Sequence, residues 1–551
     1  MPINSSVSKI SLVLILFIFW GTASLAQIVW ENPKHPINTF LARQAQKGNI
    51  DIKDFILPLS RKDISKNLGE LRDSLHKLSQ TEKQELSFYE QEYSEFNLEL
   101  KDSTSFLKKN ESQRWSILSI KKDDFVLRAD PVLQLETFQG TGKNIFKKSN
   151  GLQFWGHAGK RFAFQASFAD ITESGVGIDT LKQFSNETGI VRLENVKKNN
   201  KLLSHSSFRG SLSYEFKNGS ISMGHDHLLW GYGENGRMVM SDKAPAYPFI
   251  RLDYQPLKWL KFHYAHTWLQ STIIDTAKTY PKGNSIYGTN REIYVSKFMA
   301  THSLNFFPVK GLSMSIGESI VYSDKMDVGY LIPVMFFKAY DQISSRYRIN
   351  TGSNGQFFFQ ASSRNHIPGT HLYGTLFIDE IRMSEVFNKA KSRNQLGFNV
   401  GASITDLLIP YLTMGAEYTR INPFVYQNLI PAQTYTNQGY LMGDWIGQNA
   451  DRVTAWLKYN PLPRLSTKIR LDYIRKGEDG KLEDQYYAEP QPKFLSTSIE
   501  IQKQLLLEAG YDLTNQIQIR GSFYKQGGVI RPALQNASTP EEFRLGISYG
   551  F

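Results

Sequence analysis

The stretch 208–219 reads FRGSLSYEFKNG and contains the pattern that decides the fold. Apolar residues or glycine, among them Phe208 and Leu212, stand at every second position with polar residues between them. A strand with this pattern has one apolar and one polar face. Asn218 and Gly219 then form a tight hairpin turn. The same period of two recurs at 162–168, 412–418 and 543–551. No helical pattern separates these segments, which predicts an antiparallel sheet.

The connections between the strands are of two kinds. Tight turns of a few residues occur at 157–160, 217–219, 255–258, 308–311, 460–463 and 514–516, with a slightly longer one at 405–410. Between them the chain makes long, polar, glycine-containing excursions at 171–205, 226–248, 269–298, 323–354, 422–450, 476–493 and 526–540. Short turns at one end and long loops at the other are the layout of a bacterial outer-membrane barrel.

We therefore predict an all-β transmembrane barrel over residues 126–551, with about 18 antiparallel strands and both termini in the periplasm. Nine strands rise, starting near residues 131, 160, 219, 258, 312, 370, 411, 465 and 515, and nine descend, starting near 151, 206, 249, 299, 355, 394, 451, 494 and 541. A closed barrel has no free sheet edge and pairs its backbone polar groups inside lipid. The alternating last strand, which ends in Phe551, resembles the recognition signal of the barrel-insertion machinery. That machinery and the outer-membrane lipids are predicted partners.

The composition excludes several classes of site and of membrane anchor. The 551 residues include no cysteine, which excludes disulfides, thiolate metal sites, a cysteine nucleophile and a lipid-anchored N-terminus. A mean hydropathy of −0.37 excludes a bundle of transmembrane helices. Lys9, the apolar run 10–20 and the small residues at 24 and 26 predict a secretory signal peptide cleaved after Ala26. For an exported chain with a formal net charge of +12, we expect anionic glycans, lipopolysaccharide or an anionic membrane surface as partners, and no nucleic acid.

The segment from 27 to about 125 is predicted to be a helical module in the periplasm. Residues 60–63 and 79–82 each have the form of a capping box, and apolar residues follow each box at spacings of three and four. A shorter helix is predicted from 38 to 47, with Gly48 as its stop. The core of such a helical hairpin is too small to stand alone, so we expect the module to dock on the barrel.

Catalytic motifs are sparse, and we predict that the protein is not an enzyme and binds no cofactor or metal. His225 and His227 flank Asp226 and place two imidazoles on one face of a strand. No third ligand stands at a suitable distance to complete a metal site.

The predicted surface loops 226–248 and 422–450 carry the candidate binding residues. They mix aromatic rings with an acidic and a basic side chain, and such a mixture binds sugars, because C–H faces stack on rings while hydroxyls take paired hydrogen bonds. The candidates are Asp226, Trp230, Tyr232 and Arg237 in the first loop and Tyr426, Tyr435 and Trp445 in the second. The alternative is that loop 226–248 packs against its neighbours and plugs the barrel.

Four segments resemble the Wzi-type family of outer-membrane capsule-assembly proteins. They are 35–61, 230–233 with Ser241 and Ala244, 418–426, and 447–451. The resemblance implies a barrel of the same strand number with a periplasmic helical bundle. It also implies a surface lectin that anchors capsular or other extracellular polysaccharide, although the loops are this chain's own and the glycan specificity does not carry over. A porin or uptake channel on a similar barrel is the alternative function, and an outer-membrane hydrolase is a third.

Overall fold

The computed structural model describes residues 28–96, 102–110, 113–191, 201–282, 290–348, 352–380, 394–488, 492–495, 499–529 and 541–550. The predicted signal peptide and the terminal Phe551 lie outside the described residues. No helix within these ranges is long and apolar enough to cross a membrane.

Strands dominate the described residues. In chain order they are β1 Ile56–Leu57, β2 Ser103–Lys109, β3 Trp115–Lys122, β4 Phe125–Gly140, β5 Lys143–Ala158, β6 Phe162–Val176, β7 Leu202–Phe216, β8 Gly219–Asp226, β9 Leu229–Trp230, β10 Tyr247–Leu257, β11 Leu260–Ile274, β12 Tyr280–Pro281, β13 Asn290–Arg291, β14 Tyr294–Phe306, β15 Leu312–Ser323, β16 Asn354–Arg364, β17 Thr370–Glu380, β18 Gln395–Thr405, β19 Leu412–Ile421, β20 Thr436–Asn437, β21 Tyr440–Leu441, β22 Ala450–Leu462, β23 Leu465–Lys476, β24 Glu500–Asp512, β25 Ile517–Val529 and β26 Glu541–Tyr549. The α-helices are α1 Ile37–Gln46, α2 Arg61–Asp73, α3 Gln80–Glu92, α4 Phe337–Arg348 and α5 Asp484–Tyr487. Short 3₁₀ turns occur at Leu75–Lys77, Ser94–Phe96, Val328–Leu331 and Pro431–Gln433.

Eighteen strands, β4–β8, β10, β11, β14–β19 and β22–β26, form one closed antiparallel barrel. Each pairs with the next, and β26 pairs back onto β4. The predicted barrel and its strand number are confirmed. The first strand begins at Phe125 rather than near 131, and the next begins at Lys143 rather than near 151, because a tight turn after Gly140 joins them.

The alternation of side chains gives the barrel an apolar outer surface. Phe168 and Phe208 are paired across β6 and β7, and both rings are exposed on the outer wall. Inward-facing residues are polar in the same region: Ser213 Oγ lies 2.8 Å from Ser222 Oγ, and both side chains are buried. An apolar band outside a polar lumen is the arrangement expected of a barrel in lipid.

The predicted helix caps of the N-terminal module are confirmed. Ser60 Oγ accepts a hydrogen bond from Asp63 N at 3.0 Å. Ser79 and Glu82 make the complete capping box, in which Glu82 Oε2 accepts from Ser79 N at 2.9 Å. Gly48, the predicted stop of α1, has φ of +76°, and a Cβ there would lie 2.1 Å from Asn365 Nδ2. Both the backbone conformation and the close approach therefore favour glycine at this position.

The helical part of the module ends earlier than the sequence predicted. β2 and β3 form a hairpin in place of the helix expected up to residue 125. Leu118 and Ile120 alternate with polar neighbours, which is the same period of two as in the barrel. β3 pairs with β4 up to Ala129, and β26 takes over the same edge of β4 from Leu133. The hairpin thus continues the wall below the closing seam of the barrel.

The helices lie across the end of the barrel that carries the short turns. Arg43 Nη2 donates to Asp406 Oδ1 at 2.8 Å, in the turn between β18 and β19. Tyr411 of the same turn donates to Ser79 Oγ at 2.8 Å. Gln46 Nε2 donates to the carbonyl of Gly369, between β16 and β17, at 2.9 Å. The expected docking is therefore confirmed, and the placement of this end in the periplasm stays a prediction.

Candidate functional site

One half of the lumen is filled by a lumen plug, which comprises residues 54–57, 226–248 and 422–450. The plug packs against apolar side chains that point inward from one side of the wall. They include Phe249, Met299, Val321, Phe358 and Phe377. Within the plug, β1 of the N-terminal module pairs with β9 of the first loop, with Ile56 opposite Trp230. The module thus reaches into the lumen and is tied there to a loop from the opposite end.

Trp230 lies in the centre of this plug. Its side chain is 2% exposed, and its ring meets Phe358 edge to face at a centroid distance of 5.8 Å. Its backbone N–H donates to the carbonyl of Met240 at 3.0 Å, which closes the loop on itself. These contacts hold the loop in place and leave no ring face open to a ligand.

The aromatic residues of the second loop join it to the first. Tyr426 and Tyr435 stack with centroids 5.5 Å apart and are fully buried. Tyr426 donates to the carbonyl of Met238 at 2.6 Å, and Tyr435 donates to that of Val239 at 2.9 Å. Trp445 Nε1 donates to the carbonyl of Asn235 at 2.5 Å. Each ring thus carries a polar group that satisfies the backbone of the neighbouring loop.

Tyr232 and Arg237 hold the lower part of the plug. The Tyr232 hydroxyl donates to Asp54, and Arg237 donates to the carbonyl of Gly231. Asp54 also pairs with Arg364 of β16 at 2.7 Å. Burial by itself would raise the pKa of Asp54, but the Arg364 guanidinium and the Tyr232 hydroxyl outweigh it and lower this pKa. The carboxylate therefore stays charged and ties the module to the wall.

A buried ion pair anchors the second loop. Arg452 of β22 has no exposed side-chain surface and donates to both oxygens of Asp444, at 3.0 and 2.9 Å. Glu417 lies 3.5 Å from the same guanidinium. A bidentate pair of this kind fixes orientation as well as position.

These positions correct the prediction that loops 226–248 and 422–450 extend over the surface. Both fold into the lumen because their apolar residues bury more surface there than they could above the barrel. The alternative reading of the first loop, as a plug, describes the structure. Two of the seven candidate residues, Asp226 and Trp445, also line a large open space within the part of the chain that the structure describes.

That space is a cavity of about 730 Å³ in the other half of the lumen. Its walls are β4–β8 and β23–β26, the segment 179–191 forms one side, and residues 32–34 lie at its floor. Lys34 pairs there with Asp242 at 2.8 Å. The cavity lies toward the long-loop end, because its lining residues Glu173 on β6 and His205 on β7 lie near the ends of those strands that the long excursion between them joins.

The cavity lining combines amides, aromatic rings and paired charges. Gln502, Gln504 and Gln526 point into it, and Tyr524 donates to Gln526 Oε1 at 2.7 Å. Phe184 meets Trp445 edge to face at 5.3 Å. Amides offer a donor and an acceptor together, as sugar hydroxyls require.

The charges around the cavity are largely paired. Lys182 contacts Glu173 at 2.9 Å and Glu187 at 3.0 Å, and Arg544 contacts Glu187 at 3.0 Å. Burial alone would raise the pKa of Glu187, but Lys182 and Arg544 hold it well below its usual range. The wall therefore offers many hydrogen-bonding groups with little excess of either charge.

The cavity residues are not among the candidates predicted from the sequence, although the strand pattern carries a signal for them. Gln502 and Gln504 are two residues apart on β24, and Tyr524 and Gln526 are two apart on β25. Polar residues at a period of two mark the face of a strand that looks into the lumen.

Two imidazoles predicted to share a strand face do not meet. His225 Nδ1 is 2.9 Å from the Phe208 carbonyl, whereas His227 Nε2 is 3.0 Å from that of Ala244. Among the described residues, no group of three or more His, Asp or Glu side chains is placed to hold a metal ion.

Comparison with known proteins agrees with the geometry. The family described as capsule assembly protein Wzi matches residues 140–521. Among solved structures, the chain is similar to Wzi of Escherichia coli, an outer-membrane protein involved in group 1 capsule assembly and described as a carbohydrate-binding β-barrel. The TM-score is 0.56 at 13% identity, over 96% of this chain and 100% of that one.

Weaker similarities link the chain to other barrels. Pseudomonas aeruginosa OpdK with vanillate has a TM-score of 0.45 at 9% identity, over 77% of this chain and 98% of that one. Acinetobacter baumannii OccAB4 has a TM-score of 0.42 at 9% identity, over 78% and 98%. Among curated proteins, none matches this sequence.

Proposed function

Because the chain belongs to the capsule assembly protein Wzi family, we propose that it binds an extracellular polysaccharide at the outer membrane and holds it at the cell surface. The described carbohydrate binding of the E. coli barrel supports this proposal. The position of the cavity also supports it. The cavity lies toward the long-loop end of the lumen, which a surface polymer would reach if the helical module faces the periplasm.

The observation that carries the proposal is the chemistry of the cavity. Tyr524 and Phe184 supply ring surface beside the amides of Gln502 and Gln504, and the largely buried Trp445 packs against Phe184. Sugar rings stack on aromatic faces, and their hydroxyls bond amides and charged pairs. We place the binding site in this cavity, with Asp226 and Trp445 as the two candidates from the sequence that take part. The other five candidates act through the plug that forms its inner wall.

Two features favour binding over transport or catalysis. The helical module crosses the short-turn end, and the plug fills half of the lumen, so a steady open pore is disfavoured. A hydrolase would need an acid and a base poised across a glycosidic bond, whereas the cavity carboxylates Glu173 and Glu187 are engaged by Lys182. We therefore assign the protein a non-enzymatic role.

A matched pair of variants tests the site. Tyr524→Ala combined with Gln504→Ala removes one ring and one amide from the cavity. Tyr473→Ala removes the same kind of ring from the outer face of β23, where Tyr473 is exposed. Each contact contributes about 1 kcal/mol, so the loss of both in the double variant should weaken binding of surface polysaccharide purified from the parent strain by about thirtyfold. Calorimetry on detergent-solubilised protein measures the change.

A second measurement follows the release of polysaccharide from whole cells, where avidity operates. Many copies on one cell engage one polymer, so avidity masks the loss of any one contact, and the whole-cell test therefore uses the double variant, which removes two contacts. The double variant should also release more polysaccharide into the medium than Tyr473→Ala does. Unchanged affinity in the folded double variant would show that the binding site is not in the cavity. Absence of any polysaccharide binding by the wild type would contradict the proposed function itself.

A further inference from the structure

One long loop does not lie over the lumen but turns down along the outside of the barrel. Residues 324–348, here called the external flap, follow β15 and contain helix α4. They cover outward-facing side chains of β11, β14 and β15, which are almost completely buried beneath them. These are Tyr264, Ala300, Ile320 and Tyr322.

The flap covers only the part of these strands nearer the long-loop end. Met314 and Ile316 lie lower on the same face of β15, and Leu304 lies lower on β14; all three are exposed. Trp259 and Phe306 stack at a centroid distance of 6.4 Å at the short-turn edge, where aromatic residues mark the membrane interface. The flap therefore begins within the height of the apolar band rather than above it.

Polar side chains on this outer wall face the flap. Glu318 of β15 accepts hydrogen bonds from the backbone N–H of Phe337 at 2.5 Å and of Lys338 at 3.4 Å, and so caps helix α4. His302 of β14 lies opposite Glu318, with Nε2 3.2 Å from Glu318 Oε1. Its Nδ1 donates to the carbonyl of Pro333 at 2.9 Å. Tyr264 donates to the carbonyl of Tyr330 at 2.8 Å.

These contacts satisfy backbone groups that irregular chain would otherwise expose. Lipid offers no hydrogen bonds, so non-helical backbone occurs at membrane depth only where protein satisfies it. Ile332 N and Met335 N donate within the flap at 3.3 and 3.1 Å, and Pro333 has no N–H to satisfy. If the flap stood in water, water would satisfy these backbone groups, and the carboxylate of Glu318 and the imidazole of His302 would not be needed on the outer wall for that purpose.

Between residues 328 and 337 the exposed surface of the flap is apolar, whereas Asp324, Lys325 and Gln342 are exposed on either side of this stretch. Residues 328–337 read VGYLIPVMFF, without a single charge. Val334 is 80% exposed and Phe336 is 55% exposed, and Phe336 meets Phe357 of the wall at 6.1 Å. Four residues of a tilted strand separate His302 from Phe306, which places Pro333 about 10 Å above the lower interface of a band about 25 Å tall.

We propose that residues 328–337 of the external flap are immersed in the bilayer and that their exposed apolar side chains contact lipid acyl chains. Two observations identify this occupant. The exposed residues of the flap continue the lipid-facing surface formed by Leu304, Ile316 and Phe359. The backbone polar groups that the structure pairs are satisfied by the wall or within the flap itself, as a bilayer requires and a water-exposed loop does not. A second copy of the chain or a soluble partner is the competing occupant.

The absence of cysteine makes the test direct. Val334→Cys carries a bimane fluorophore on the flap, Leu304→Cys carries one on the bare wall, and Lys278→Cys carries one on an exposed lysine of a long loop. The proteins are reconstituted in phosphatidylcholine vesicles that contain a mid-chain doxyl lipid, and iodide is added as an aqueous quencher. Val334 should be quenched by doxyl lipid to within about twofold of Leu304 and be protected from iodide, with Lys278 showing the reverse.

Either of two other patterns overturns the proposal. Iodide quenching of Val334 at the level of Lys278 means that the flap faces water. Protection from both quenchers means that protein covers it, and then a second copy is the occupant. Only variants with heat-modifiable gel mobility are compared, and Phe336→Cys provides a second position if Val334→Cys does not fold.

Discussion

At the scale of single residues, two glutamates of α3 show how the helical module is held against the barrel. Burial would raise the pKa of Glu82, but Lys47, the Ser79 backbone and Arg43 outweigh it and lower this pKa to about 2. Three residues later, burial raises the pKa of Glu85 to about 7, and Arg43 and Asn460 offset it only in part. The first carboxylate stabilises docking when charged, whereas the second opposes docking when charged.

The pH dependence of docking follows from Glu85. Its folded pKa is raised above the unfolded value near 4.5. The contribution of Glu85 to the stability of the docked module is therefore fully present below pH 4.5. It is lost as the pH rises through 7, which lowers the free energy of unfolding by about 3 kcal/mol at most. Glu85→Gln keeps the acceptor for Asn460 and removes the charge. It should raise the melting midpoint of the helical circular dichroism signal at pH 8 and leave it unchanged at pH 4.5.

An exposed glutamate of the same module supplies the control for that experiment. Glu70 lies on the solvent side of α2, so Glu70→Gln should leave the midpoint alone at both pH values. If Glu85→Gln gave an equal gain at pH 4.5 and pH 8, the buried charge would not be the cause.

At the scale of elements, the plug joins three pieces from distant parts of the sequence. β1 comes from the N-terminal module and pairs with β9 of the first loop, and the second loop bonds the first through Tyr426 and Tyr435. Each piece alone is a short irregular segment, and their burial inside the barrel stabilises all three together. Trp230 contacts β1, its own loop and Phe358 of the wall. We therefore expect its loss to destabilise the plug more than the loss of any other single side chain.

Trp230→Ala should open the lumen. Removal of a buried tryptophan costs about 3–5 kcal/mol, because the cavity that remains is only partly filled. In planar bilayers we expect the wild type to show no steady conductance and Trp230→Ala to show frequent openings. Trp259 is exposed on the outer wall, so Trp259→Ala should behave like the wild type. A folded Trp230→Ala protein that stays closed would mean that the helical module alone seals the barrel.

The sequence predicted the regular elements far better than the loops. Strand periodicity, turn length and capping motifs are local, and they placed the barrel and the N-terminal caps of α2 and α3. The inward fold of loop 422–450 depends on the pair between Arg452 and Asp444 and on apolar partners far away in sequence, which no local pattern reveals. The loop 323–354 was expected to be polar, yet the apolar run 328–337 already stands in the sequence. Its destination on the outer wall depends on Glu318 and His302, whose contacts with the flap no local pattern reveals.

At the scale of the whole molecule, the barrel is asymmetric around its axis. The wall from β10 to β19 points apolar side chains inward at the plug, and the remaining wall points polar ones at the cavity. The external flap lies on the plug side, outside β11, β14 and β15. One side of the barrel is thus thickened on both faces, while the opposite side keeps a thin wall around the cavity. We expect this division to keep the cavity open toward the long loops while the plug side stays rigid.

The orientation of the whole molecule in the membrane is the last prediction. If the helical module faces the periplasm, Gly69 of α2 and Lys278 must lie on opposite sides of the outer membrane. Both positions tolerate a new side chain, since a Cβ at Gly69 meets nothing within 4 Å and Lys278 is 64% exposed. Asn235 is unsuitable as a surface marker, because the plug buries it. On intact cells, a membrane-impermeant maleimide should label Lys278→Cys and reach Gly69→Cys only after the outer membrane is permeabilised. The wild type, which has no cysteine, sets the background. Labelling of Gly69→Cys on intact cells would show that the barrel has the opposite orientation. The cavity mouth, with its rings and amides, would then lie in the periplasm.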